Sequence, residues 1–154
     1  MMLNRILHGL WSLLTVVFAM KIAALYCDRK DVIAIGLVIS ALWIMPFLSV
    51  RNLVETVTIP LLMICIYYLI QPKIRSRYWI MAGIMLGLAI SIRYQLGVFA
   101  IGLGIALMIE RSWKKLLYVV VSSAFVFVLS QSAVDYYIWG RPFAELMVYV
   151  NYNL

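Results

Sequence analysis

Histidine is almost missing from this chain: His8 stands alone, so no multi-histidine metal site can be assembled within it. Acids are nearly as scarce, six against thirteen Lys and Arg, and no two lie close enough in sequence to suggest a glycosidase pair. The two cysteines, Cys27 and Cys65, fit no metal spacing and make no secreted-type disulfide framework. There is no phosphate-binding G-x-x-x-x-G-K-[ST] loop, no strand-borne G-x-G-x-x-G and no G-x-S-x-G elbow. These absences remove the usual soluble nucleotide, dinucleotide and hydrolase chemistries, and no cofactor is implied. No N-x-[ST] sequon occurs either.

What is present is grease. The 154 residues are 66% hydrophobic and only 12% charged, with mean hydropathy +1.03. That composition excludes a single soluble domain, although the length would allow one. Spanning helices need about 20 apolar residues, and the windows 6–26, 32–50, 53–70, 78–92, 94–109 and 116–134 supply six candidates. The expected fold is therefore all-α: one polytopic transmembrane bundle of about six helices over residues 1–154. Lys21 and the bulky flank ending at Tyr26 argue against signal-peptide cleavage, so the first window reads as a retained span.

The net charge of +7 does not point to nucleic acid, because the cations sit in hairpins between spans. Arg29 and Lys30, then Lys73, Arg75 and Arg77, then Arg111, Lys114 and Lys115 occupy alternate connections. Six crossings place all three on one side, and the positive-inside rule makes it cytoplasmic. The N-terminus, the Arg51 turn, the Arg93 break and residues 135–154 then fall on the external side. Anionic headgroups account for the basic loops, and membrane lipids are the expected surroundings.

Four charges stand out at the external side. Arg93 cuts an apolar stretch into windows of 15 and 16 residues. Such helices reach only roughly 24 Å, short of a core about 30 Å thick. They are expected to start or end within protein or a watery recess. A cation at mid-membrane costs roughly 2.5–3.5 kcal/mol on insertion scales, so it needs water, a partner or a ligand. Arg51 and Glu55 are four apart and share a helix face. Asp135 opens an aromatic, polar segment read as a turn, Asp135-Tyr-Tyr-Ile-Trp-Gly140-Arg-Pro-Phe. Snorkelling to the headgroups, or a structural salt bridge of Arg93 or Arg51 with Asp135 or Glu55, explains these charges without any chemistry. After Pro142 the apolar residues Phe143, Leu146, Met147, Val150 and Leu154 recur at helical spacing, as in an amphipathic helix lying on the outer leaflet. Gly83-x-x-x-Gly87 permits close helix contact, and Pro46 and Pro60 are expected to kink or end helices near the Arg51 turn.

Three stretches together resemble a known family, the lipid-linked-sugar glycosyltransferases of the GT-C superfamily, in particular glycosyltransferase family 22. Arg51-Asn-Leu-Val-Glu55-Thr56 is similar to that family's R-T-L-S-E-T segment. Gly83-Ile-Met-Leu-Gly87-Leu-Ala-Ile-Ser-Ile-Arg93-Tyr resembles its G-x-x-x-G-L-A-x-x-x-R-P stretch, with Tyr94 where proline is common. The Asp135 segment, with Tyr149-Val-Asn151-Tyr-Asn153, resembles its D-x-x-x-Y-G-x-W turn and F-x-x-Y-N, with Trp139 ahead of the glycine.

The resemblance implies transfer of a sugar, typically mannose, from a polyprenyl- or dolichyl-phosphate sugar to a lipid-linked or protein acceptor on the external face. It implies Arg51 and Arg93 as phosphate-binding candidates, Glu55, Asp135 and Asn151 as polar contacts, and Tyr136, Tyr137 and Trp139 as stacking surfaces for sugar. The family's acidic base lies in a first external loop of H-x-D-E type. That loop would precede residue 6, where no such motif exists, so the chain is expected to be an internal fragment. No catalytic residue is assigned within it, and the remainder of its own polypeptide becomes an expected partner. A small transporter and a structural multi-pass protein stay open as alternatives.

Overall fold

A computed structural model describes residues 2–42, 54–72 and 75–153. Among these, seven α-helices and one 3-10 turn occur and no strand does, so the chain is all-helical. The helices are α1 (Met2–Ala23), α2 (Arg29–Ala41), α3 (Val54–Leu69), α4 (Ser76–Ile92), α5 (Gly97–Ile109), α6 (Trp113–Trp139) and α7 (Ala144–Asn153). The 3-10 turn Tyr94–Leu96 sits between α4 and α5.

Neighbouring contacts fix the directions. Met20 of α1 meets Gly36 of α2, and Tyr68 of α3 stacks on Tyr78 of α4; both pairs are antiparallel hairpins. Trp11 donates from Nε1 to the Val57 carbonyl at 2.9 Å, and Phe18 meets Tyr67 one end further on, so α1 and α3 run parallel. Gly83 abuts Val119 and Ser122, while Gly87 abuts Ser123 and Val126. The rising register makes α4 and α6 parallel as well, with α5 as the return between them. Arg29 at the start of α2 and the connections that carry Arg75 and Arg111 therefore share one end of the bundle. The break at Arg93 and the last turn of α6 share the other.

The central seam depends on small residues. Ala82, Gly83, Gly87 and Ala89 form the buried face of α4. A Cβ at Gly87 would come within 2.5 Å of the Ser123 carbonyl oxygen, which is backbone and cannot swing away. Around the basic half of this seam, Cys65, Leu69, Leu86, Leu107 and Val119 form the core. Pro60 lies fully buried within α3 without ending that helix. The expectation for Pro46, like that for Arg51, falls outside the described residues.

The distribution of polarity is inverted relative to a water-soluble protein. Thr15, Thr56, Thr58, Gln131 and Asp135 are buried. Val98, Ile101, Ile105 and Ile109 form an exposed ridge along α5, and Leu117, Val121, Phe125 and Val128 another along α6. Apolar patches of that extent are not left facing water. Two helices, over Leu3–Ala23 and Trp113–Trp139, are long and apolar enough to cross a membrane. The others are shorter than a hydrocarbon core demands: α2 and α5 have 13 residues each, or roughly 20 Å at 1.5 Å per residue.

The largest correction to the sequence reading concerns residues 135–139. They are not a turn: α6 continues to Trp139 and is closed by Gly140, at φ 66°, whose N–H bonds the Tyr136 carbonyl at 3.0 Å. Hydropathy falls at Asp135, but the backbone stays helical until a residue able to take the left-handed conformation arrives. Pro142 likewise precedes the last helix, which begins at Ala144.

Candidate functional site

Arg93 stands where α4 stops. Its backbone is extended (φ −146°, ψ 104°), its N–H closes the last helical bond to the Ala89 carbonyl, and the 3-10 turn follows at once. The side chain is half-buried. Its Nε donates to Gln95 Oε1 at 2.6 Å, which orients the guanidinium plane from one side. Two residues earlier, the Ser91 and Ser130 hydroxyls meet at 2.6 Å and pin α4 to α6 just below the break.

Asp135 lies on α6 at the same end and is completely buried, at 0% exposure. Oδ2 accepts from Gln131 Nε2 at 3.0 Å and from the Glu145 backbone N–H at 3.2 Å. Neither donor is a cation. Oδ1 accepts no hydrogen bond from any described residue. The carboxylate thus receives one of the free N–H groups at the start of α7, where negative charge is favoured by the helix dipole. Tyr94 joins the two features. Its ring packs on Tyr149 of α7 (centroids 5.0 Å apart) and, edge-on, on Phe127 of α6. Its buried hydroxyl lies beside Gln131.

The expected site residues are therefore split. Arg93 and Asp135 occupy the same end of the bundle, as do α7 and its exposed Asn151. Tyr136, Tyr137 and Trp139 follow Asp135 on α6 and are exposed, Tyr137 at 91%, whereas the acid is buried. Arg51 and the side chain of Glu55 lie outside the described residues. Tyr94, Gln95 and Gln131 escaped the sequence reading as site-forming residues. The i, i+4 spacing of Gln131 and Asp135 was the available signal for one of them. The contact of Asp135 with Glu145, ten residues away across a cap, had none. No group of three metal-ligating side chains occurs among the described residues.

An all-helical chain, apolar on its surface and polar at one buried end, belongs to the class of membrane-embedded helical proteins. The particular family follows from its sequence: the model of the dolichyl-phosphate-mannose-protein mannosyltransferases matches residues 3–136, and the chain belongs to that family. No curated protein and no solved structure gives a significant match. The family is membrane-integral and transfers mannose from a dolichyl-phosphate sugar, the general chemistry that the motif likeness implied. The match runs through Arg93 and ends one residue past Asp135.

Proposed function

We propose that this chain provides the donor-phosphate end of a mannosyltransferase site of GT-C type, working on a polyprenyl- or dolichyl-phosphate mannose. The observation that carries the reading is the family match across residues 3–136, which includes a half-buried arginine at a break between two apolar helices. A lipid-phosphate donor keeps its tail among the apolar ridges and its phosphate at the polar end, where Arg93 stands. The acceptor is a hydroxyl of a protein, or of a lipid-linked glycan as the family-22 likeness of the motifs suggests. The basic end faces the cytoplasm by the positive-inside rule, the Arg93 end faces outward, and the apolar helices together make a multi-pass bundle.

In the transfer, the acceptor oxygen forms a bond to the mannose anomeric carbon as the bond from that carbon to the phosphate oxygen breaks. The electron pair leaves with the phosphate, which gains a negative charge, and the acceptor proton passes to a base. A guanidinium held by Gln95 meets the growing charge through charge-assisted, bidentate hydrogen bonds. Because that charge is larger in the transition state than in the bound donor, the interaction accelerates the step. Loss of one such donor costs about 100-fold in kcat. Arg93→Gln in the full-length protein should therefore lower mannosyl transfer from a polyprenyl-phosphate mannose by about 100-fold, with Arg93→Lys intermediate because it keeps charge without the fork. Unchanged turnover in Arg93→Gln would remove the residue from this role.

A further inference from the structure

The basic end of the bundle has no part in that chemistry, yet it is built with unusual care for cations. α5 ends in a Schellman cap: the Arg111 N–H bonds the Met108 carbonyl at 2.9 Å and the Ser112 N–H bonds the Leu107 carbonyl at 3.0 Å. This cap places one residue in the left-handed region, where glycine is the usual occupant. Here it is Arg111, at φ 55°. The same chain ends α6 with Gly140 at φ 66°, so a long cation stands in a position whose backbone favours glycine.

The next residues add to the positive potential. Trp113, Lys114 and Lys115 form the first turn of α6, no acid accompanies them, and Ser112 makes no side-chain cap. A helix N-terminus already carries partial positive charge, so lysines there face an unfavourable dipole. The parallel helix α4 begins beside it after Arg75, with Arg77 and no acid in its own first turn. Glu110, 3.9 Å from Lys115 Nζ, offsets one of these charges.

The cations also have a shape. Arg111, Lys114 and Lys115 line a recess of about 590 Å3 whose walls include Trp79, Trp113 and Gln71. Solvated lysines on a convex surface would leave no such recess. An almost wholly apolar groove of about 500 Å3 lies beside it, lined by Ile80, Leu117, Val121 and Phe125. The two adjoin through Trp79, which lines the recess, and Tyr118, which lines the groove; their rings pack 5.8 Å apart. A cationic recess followed by an oily groove along the same helix pair matches, in order, the anionic head and the tail of one lipid.

We propose that this recess and groove form a binding site for an anionic phospholipid, distinct from the site at Arg93. Arg111 and Lys114 bind the phosphate, the indoles of Trp79 and Trp113 sit at the glycerol boundary as tryptophans do at membrane interfaces, and an acyl chain follows Leu117, Val121 and Phe125. Basic pockets between membrane helices are suited to such headgroups. The groove is what favours a lipid over free phosphate, and the assignment does not depend on mannosyl transfer.

The test uses the full chain in neutral detergent, with retained lipid counted by native mass spectrometry. Phosphatidylglycerol should be held about tenfold more tightly than phosphatidylcholine of the same acyl chains, a difference of about 1.4 kcal/mol. Arg111→Gly suits the cap, so its thermal midpoint should equal or exceed that of the native chain while the preference for phosphatidylglycerol falls. Adding Lys114→Gln should abolish the preference, and Lys30→Gln, in the first turn of α2, should leave it intact. The proposal fails if native protein holds both lipids equally, or if the Arg111→Gly/Lys114→Gln protein stays selective. It also fails if Lys30→Gln is as damaging as that pair, which would mean diffuse attraction, or if inorganic phosphate at equal concentration displaces phosphatidylglycerol.

Discussion

Asp135, singled out in the sequence for its chemistry, also holds structure. It has no exposed surface, and its Oδ2 is shared between Gln131 and the first turn of α7. Its loss would strand the buried Gln131 amide, at a cost of about 1–3 kcal/mol, and leave the Glu145 N–H at the start of α7 without this acceptor. Asp135→Leu keeps α6 helical but supplies no acceptor, whereas Asp135→Asn keeps one. Hydrogen exchange across residues 144–153 should rise at least about tenfold in the leucine variant and less in the asparagine variant, with the first half of α6 unchanged. Equal protection of α7 in all three proteins would show that the carboxylate does not hold it. The glycines make a second prediction at this scale. Gly87→Ala drives a Cβ against backbone, but Gly36→Ala meets only the flexible end of Met20. Thermal unfolding should show a loss of about 1–3 kcal/mol for the first and a much smaller change for the second.

At the scale of elements, the sequence was readable where side-chain chemistry and backbone conformation change together. The end of α4 is such a place: Arg93 interrupts the apolar run, and the helix stops there. At Asp135 the two part company. Polarity rises, yet the helix runs on to Trp139, because hydropathy reports surroundings and only Gly140 supplies the backbone freedom that ends it. The packing of α4 on α6 was legible as Gly83-x-x-x-Gly87, although the partner helix was not, since small-residue spacing says how close but not against what. The docking of α7 joins residues across a cap through a side chain and a backbone N–H, and no local pattern encodes it.

For the whole molecule, the parallel pairs α1 with α3 and α4 with α6 separate a cationic end from an end holding Arg93 and Asp135. The chain carries its own probes of that polarity. Cys27 is exposed beside the first basic connection, and Cys65 is buried in the core. With the basic end cytoplasmic, a membrane-impermeant maleimide should label Cys27 in inverted vesicles and not in right-side-out ones, while Cys65 should react only after denaturation. Labelling of Cys27 in right-side-out vesicles would reverse the orientation and put Arg93 on the cytoplasmic side.

Tyr94 has a mechanical consequence. It follows Arg93 directly in the chain, and its ring is held between Phe127 of α6 and Tyr149 of α7. The terminal helix is therefore only one peptide unit removed from the arginine: the ring that packs on α7 belongs to the residue that follows Arg93, and the anchor of α7 on Asp135 steadies both.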